Sequence, residues 1–156
     1  MPADAGRISV RPVEPGDLPA WKPLWDGYNA FYGRAGAKAL PAETTQATWS
    51  RFFDPAEPVH ALVAEGSRGL VGLAHYLFHR STNQVAPICY LQDLFTAEAA
   101  RRQGVARLLI EAVYEEARRG GAVRVYWQMH ETNAVAMRLY GKVAERSGFV
   151  VYRKDL

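Results

Sequence analysis

The stretch from Leu91 to Gly120, LQDLFTAEAARRQGVARLLIEAVYEEARRG, restricts the fold of this chain more than any other. Leu91, Asp93 and Phe95 alternate with Gln92, Leu94 and Thr96, which is the period of a strand. A basic turn follows, Arg101-Arg102-Gln103-Gly104. Val105, Leu108, Leu109, Ala112, Val113 and Ala117 then recur at helical spacing and predict one buried stripe. Gly120 and Gly121 stop the helix, with Arg118 and Arg119 where its dipole favours cations. A second strand is expected from Ala122 to Met129. Two strands joined through a helix run parallel with a right-handed crossover.

The turn itself suits a phosphate. A helix N-terminus exposes unpaired N–H groups and a partial positive charge. Gly104 lets the backbone approach a ligand closely, Ala106 keeps the first turn low, and Arg101, Arg102 and Arg107 add full charge. A solvated basic loop capping an ordinary helix fits the same spacing, because short glycine motifs match by chance.

The rest of the chain surrounds this unit. Ile8 to Val13 predicts a short first strand. Asp17 is placed to cap a helix carrying the aromatic stripe Trp21, Leu24, Tyr28, Phe31 and Tyr32, bent or delayed at Pro23. Glu43 to Phe53 reads as a second helix. Val59–Glu65, Leu70–Arg80 and Val85–Thr96 read as a three-strand antiparallel meander joined by Ser67-Arg68-Gly69 and Ser81-Thr82-Asn83-Gln84. Thr132 and Asn133 open a helix carrying Ala136, Leu139, Tyr140 and Val143. Ser147-Gly148 ends it, and Phe149 to Arg153 is expected as a last strand. The order predicts an α/β protein with a mixed, mostly antiparallel sheet and helices on both faces. No repeat or linker divides the chain, so one domain is expected.

Composition narrows the function. The chain has 156 residues, 49% hydrophobic and 22% charged, enough for a real core. Net charge is +3, and 15 of the 19 basic residues are arginine. That fits an anionic ligand, but Glu111, Glu115 and Glu116 interrupt any basic face on the long helix, so nucleic acid is not expected. Cys89 is the only cysteine. It reads as a small buried hydrophobe in a reducing compartment. No apolar run approaches the ~20 residues of a membrane span, and MPADAGR lacks the apolar core of a signal peptide. A cytoplasmic protein is expected.

Two motifs carry a resemblance. Arg101-x-x-Gly104-x-Ala106 after Leu91-x-Asp93-Leu94-x-Thr96 resembles the acyl-CoA pyrophosphate motif of the GNAT superfamily of N-acetyltransferases. Asn133-x-x-Ala136-x-x-Leu139-Tyr140, followed by Gly148-Phe149, resembles that superfamily's next motif. Both stand in the right order and at the right separation. The middle strands from Gly72 to Phe95 look most like the diamine and histone/polyamine branch.

The resemblance implies a GNAT-like fold whose two parallel strands splay apart, with residues 1–156 as a single acyl-CoA N-acyltransferase domain. It implies acetyl-CoA as co-substrate, no metal, and a homodimer. The Phe149-Val150-Val151-Tyr152 strand is compatible with pairing across a two-fold axis. Backbone N–H groups around Arg101, Arg102, Gln103, Gly104, Val105, Ala106 and Arg107 would hold the diphosphate. Leu94, Phe95 and Thr96 would pair with the pantetheine arm as an added strand does, and one of their amides would polarise the thioester carbonyl. Asn133 and Ala136 match positions touching the cofactor arm, although Asn133 also reads as a helix cap. Tyr140 matches the family's general acid.

The sequence departs from that branch twice. Gln92 stands where the branch carries a glutamate base, and glutamine cannot take a proton. Strand alternation turns Asp93 to the opposite face unless a bulge intervenes. His75, His130 and Glu131 are further candidates, and a water chain without a dedicated base is the default. In the acceptor pocket, bordered by Phe31 and Tyr32, Tyr32 stands where the branch has an acidic residue. The resemblance implies transfer of the acetyl group to a primary amine of a small molecule, polyamine or lysine-like acceptor. The competing reading is a non-catalytic acyl-CoA-binding module.

Overall fold

The computed structural model describes residues 7–156, so the MPADAG segment read for a signal peptide lies outside the described residues. The strands are β1 (Ser9–Pro12), β2 (Val59–Gly66), β3 (Gly69–His79), β4 (Ile88–Thr96) and β5 (Val125–Tyr126). The helices are α1 (Leu18–Phe31), α2 (Ala42–Arg51), α3 (Val105–Arg119) and α4 (Ala134–Val143). The strands form one sheet in the order β1-β2-β3-β4-β5. The first three pairings are antiparallel and β4–β5 is parallel. This is the mixed, mostly antiparallel sheet that the element order predicts.

Alternation along the middle strands builds a core on each face. Leu62, Ala64, Ala74, Tyr76, Cys89 and Leu91 meet Val105, Leu109, Ile110 and Val113 of α3 on one face. Val63 and Leu73 meet Trp21, Leu24, Trp25 and Tyr28 of α1 on the other. The helix α3 sits close because Gly72 has no side chain. A Cβ there would lie 3.0 Å from the Phe95 carbonyl oxygen and from Val105 Cγ1.

Several expectations change in the folded chain. Leu108 is 39% exposed, whereas Ile110 is fully buried. The buried line runs Val105-Leu109-Val113-Ala117 with Ile110 beside it, and Ala112 is half-buried against the same core. Pro23 does not delay α1, which runs through it from Leu18. Asp17 does not cap α1 through its side chain. Its carboxylate instead accepts from the Arg11 guanidinium at 2.7 and 2.9 Å and from the Glu14 amide at 2.7 Å.

The two C-terminal strands differ most. The strand expected from Ala122 to Met129 shrinks to Val125–Tyr126, paired only at Cys89↔Val125 and Tyr90↔Tyr126. Helix α4 ends at Val143, before Ser147-Gly148, and Phe149–Arg153 forms no strand. Among the described residues no sheet edge takes that segment up, and Phe149 and Tyr152 stand 92% and 93% exposed.

The alternation in β4 is also broken. His75 pairs with Asp93, but Tyr76 pairs with Leu91, so Gln92 is an extra residue in the ladder. Such a bulge resets the period. Leu91 faces α3, whereas Phe95 faces α1.

Candidate active site

The splay of β4 and β5 opens one edge of the sheet. Beyond Tyr90 the strands part, and β4 from Asp93 to Thr96 pairs only with β3. Leu94, Phe95 and Thr96 lie along that open edge. Phe95 packs its ring on Gly27 of α1, where a Cβ would come within 2.8 Å of it. The Thr96 hydroxyl is buried with no partner among the described residues.

The basic turn follows directly. Arg102 has φ 67° and Gly104 has φ 77°. A non-glycine residue rarely adopts that region. These two residues swing the chain so that α3 begins at Val105. The Leu108 amide is the first to reach a helical acceptor, the Gly104 carbonyl at 3.0 Å. The amides of Val105, Ala106 and Arg107 therefore point outward, unpaired within the helix. Arg101 and Arg102 are exposed and make no ion pair among the described residues, whereas Arg107 Nε donates to Glu111 at 3.0 Å. Gln103 reaches back to the Ala99 carbonyl at 3.4 Å.

Helix α4 follows β5 in the chain. Asn133 accepts from the Ala136 amide at 3.1 Å, so it caps the helix and holds these two residues together. Tyr140 lies farther along the helix, half-buried, its ring 5.3 Å from Trp127. Burial, and then the nearby Tyr32 hydroxyl, push its phenol above the ordinary tyrosine value. Tyrosinate is the charged form and low polarity disfavours it, so the hydroxyl keeps its proton at neutral pH.

A cavity of about 430 Å³ opens on the α1 side of the sheet. Trp25, Asn29, Arg34, Arg51, Gln92 and Asp93 are among its walls. The bulge explains why Gln92 and Asp93 share it. Strand alternation would have sent them to opposite faces, and the extra residue brings both to this one. Phe31 and Tyr32 are 61% and 47% exposed at the end of α1 and do not line the cavity. Tyr32 sets its ring at a tilt, 5.1 Å from that of Tyr28.

Asp93 is held from below. Trp21 Nε1 donates to His75 Nε2 at 3.1 Å, and His75 Nδ1 lies 2.9 Å from Asp93 Oδ2. An indole nitrogen only donates. His75 Nε2 is therefore the acceptor, and the ring carries its hydrogen on Nδ1, aimed at Asp93. Trp21 is 0% exposed, His75 2% and Asp93 8%. Trp25 and Phe52 close around the His75 ring at 5.2 and 4.8 Å. Burial, and then the Asp93 carboxylate, raise the Tyr28 hydroxyl far above its usual range.

Other candidates fall away from this site. His130 is exposed and lies 2.6 Å from the Thr132 hydroxyl. Glu131 is exposed. Cys89 is fully buried, and burial alone pushes its thiol up to about 11. No group of His, Cys, Asp and Glu among the described residues could hold a metal. Sequence reasoning missed Asn29 and Arg34, because their spacing carries no motif.

The sequence model of the acetyltransferase (GNAT) family matches residues 21–144, from the aromatic helix to the end of α4. The chain belongs to the acetyltransferase (GNAT) family. This N-acetyltransferase is 38% identical over 151 residues to the D-amino-acid N-acetyltransferase HPA3 of Saccharomyces cerevisiae, covering 96% of this chain and 91% of that protein. It is 37% identical over 73 residues to the aminoglycoside N(6')-acetyltransferase type 1 of Serratia marcescens, 46% of this chain and 50% of that one. The aminoglycoside N-acetyltransferase AAC(6')-Iy, solved in complex with CoA, superposes with a TM-score of 0.82 over 99% of both chains. At 18% identity that likeness shows the shared fold.

Proposed function

We propose that this enzyme moves an acetyl group from acetyl-CoA to a primary amine of a small molecule, by direct attack in a ternary complex. The whole chain, residues 1–156, acts as one catalytic domain. The observation that carries the reading is continuity. The open edge of β4 runs from the outward amides of α3 to a cavity walled by Gln92 and Asp93.

The residues present fit acetyl-CoA. Amides from Arg102 to Arg107, with Arg101 and Arg102, offer donors and positive charge to a diphosphate. The unpaired edge at Leu94–Thr96 takes up the amide-bearing arm as an added strand does. When bound, the co-substrate supplies the activated thioester, and the β4 amides at that edge polarise its carbonyl.

On the acceptor side, Gln92 orients the amine and Asp93 receives its proton, directly or through one water. His75 holds the Asp93 carboxylate in place. The amine nitrogen gains the acetyl carbon, the carbon–sulfur bond breaks, and Tyr140 gives its proton to the departing sulfur. Asp93 replaces the water chain as the proton's first stop because the bulge delivers a fixed carboxylate to the cavity.

The similarity to a D-amino-acid N-acetyltransferase over nearly the whole chain supports a small acceptor. An aminoglycoside enzyme matches over a shorter span and supports the same class. Purified protein mixed with acetyl-CoA and a panel of small amines should release free thiol in proportion to N-acetylated product. Absence of thiol release across the panel, with CoA bound, contradicts catalysis at this site.

The enzyme acts as a homodimer in the cytoplasm on this reading. Phe149, Val150, Val151 and Tyr152 are 92%, 74%, 64% and 93% exposed, a strand-forming segment without a sheet. A second copy of the chain is the partner that would cover it. Among the described residues no helix is long and apolar enough to cross a membrane, and the one thiol is buried and unpaired.

A further inference from the structure

The walls of the acceptor cavity carry both signs of charge. Asp93 is the carboxylate in its wall, and His75 already occupies one of its oxygens. Arg34 and Arg51 also line it, and neither makes an ion pair among the described residues.

Arg34 is held in a built seat. Asn29 is 4% exposed and donates through Nδ2 to the Trp25 carbonyl at 2.9 Å. Its remaining oxygen, Oδ1, accepts from Arg34 Nε at 2.7 Å. The Arg34 backbone amide returns to the Asn29 carbonyl at 2.8 Å. The guanidinium lies over the Tyr28 and Tyr32 rings at 5.8 and 5.5 Å. With Nε engaged and the plane fixed, the two terminal nitrogens keep a parallel pair of donors. That fork matches a carboxylate.

We propose that Arg34, seconded by Arg51, binds a carboxylate on the acceptor, so that the substrate carries an acid group close to the amine that is acetylated. This rests on the reading above, in which the amine meets Asp93. A polycation fits this cavity poorly, because two guanidiniums would repel it. A small amphoteric acceptor matches both charges. Arg34 is a specificity-determining residue here, and the buried Asn29 fixes its orientation.

The test compares phenylalanine, as either enantiomer, with phenethylamine, which lacks only the carboxylate. The intact enzyme should use one phenylalanine enantiomer with a kcat/KM about 10–100-fold above phenethylamine, the value of a charge-assisted contact. Arg34→Ala should bring that ratio to about 1, chiefly through KM for the amino acid. Arg51→Ala should lower it less, and Arg34→Lys should restore part of it. Equal use of both acceptors by the intact enzyme, or a ratio unmoved in Arg34→Ala, overturns the proposal. Binding of N-acetylphenylalanine against N-acetylphenethylamine, by calorimetry, reads the same subsite without turnover. If no amine is acetylated but the acid still binds more tightly through Arg34, the catalytic reading falls and the subsite stands.

Discussion

Asp93, Gln92 and Tyr140 carry the chemistry proposed here, and each was legible in the sequence to a different degree. Tyr140 stands in a motif with fixed helical spacing, so its side of the helix follows from the sequence. Asp93 was hidden because its face depends on the one-residue bulge at Gln92, which is a property of the β3–β4 ladder rather than of β4 alone. Asp93→Asn keeps the size and most hydrogen bonds but removes the basic oxygen. It should lower kcat/KM by about 10²–10⁴-fold in steady-state assays. His75→Ala leaves the Trp21 N–H and Asp93 without their buried partner. It should cost about 1–3 kcal/mol in urea unfolding. Tyr140 gives a pH signature. Burial raises its value above the ordinary 10.0, so the acid form persists through neutral and mildly basic pH. Loss of kcat from its ionisation belongs above that value, and Tyr140→Phe should lower kcat by about 10²-fold at neutral pH.

Elements hold these residues in register, and the sequence disclosed them unevenly. Helix α3 and the meander were readable because their apolar periods are long. The second parallel strand was not, since Val123 and Trp127 alternate as a strand does while only Val125–Tyr126 finds a partner. That short pairing leaves open the edge on which the site depends. Gly72 sets the height of α3 above the sheet, and a side chain there meets the Phe95 carbonyl, Val105 and Leu109 at 3.0–3.1 Å. Gly72→Val should cost about 1–3 kcal/mol through overpacking, read by urea unfolding. It should also weaken CoA binding, because α3 carries the phosphate turn. The ion pair of Arg11 with Asp17 ties β1 to the start of α1. The Arg11 guanidinium holds Asp17 below its usual 3.8. A lowered folded value stabilises the protein above pH 3.8, and that contribution is lost as pH falls through the lowered value. Asp17→Asn should therefore lose about 1 kcal/mol at neutral pH, a difference that fades as pH falls through the lowered value of the parent's Asp17.

At the scale of the whole molecule, the segment after α4 is the part that one chain leaves unfinished. Its apolar run Phe149-Val150-Val151-Tyr152 predicted a strand, and the chain forms none there. Deleting residues 148–156 should convert a dimer into a monomer in sedimentation velocity, and a parent already monomeric would remove the dimer from this account. The proposed chemistry turns on the gap between β4 and β5, with the α3 amides at one end and Tyr140 across it. A structure of the protein with CoA bound tests it most directly. The account predicts a diphosphate hydrogen-bonded to amides between Arg102 and Arg107, and the sulfur within about 4 Å of the Tyr140 hydroxyl, the reach of a proton-donating contact. A diphosphate seated elsewhere, or a sulfur remote from that hydroxyl, would contradict it.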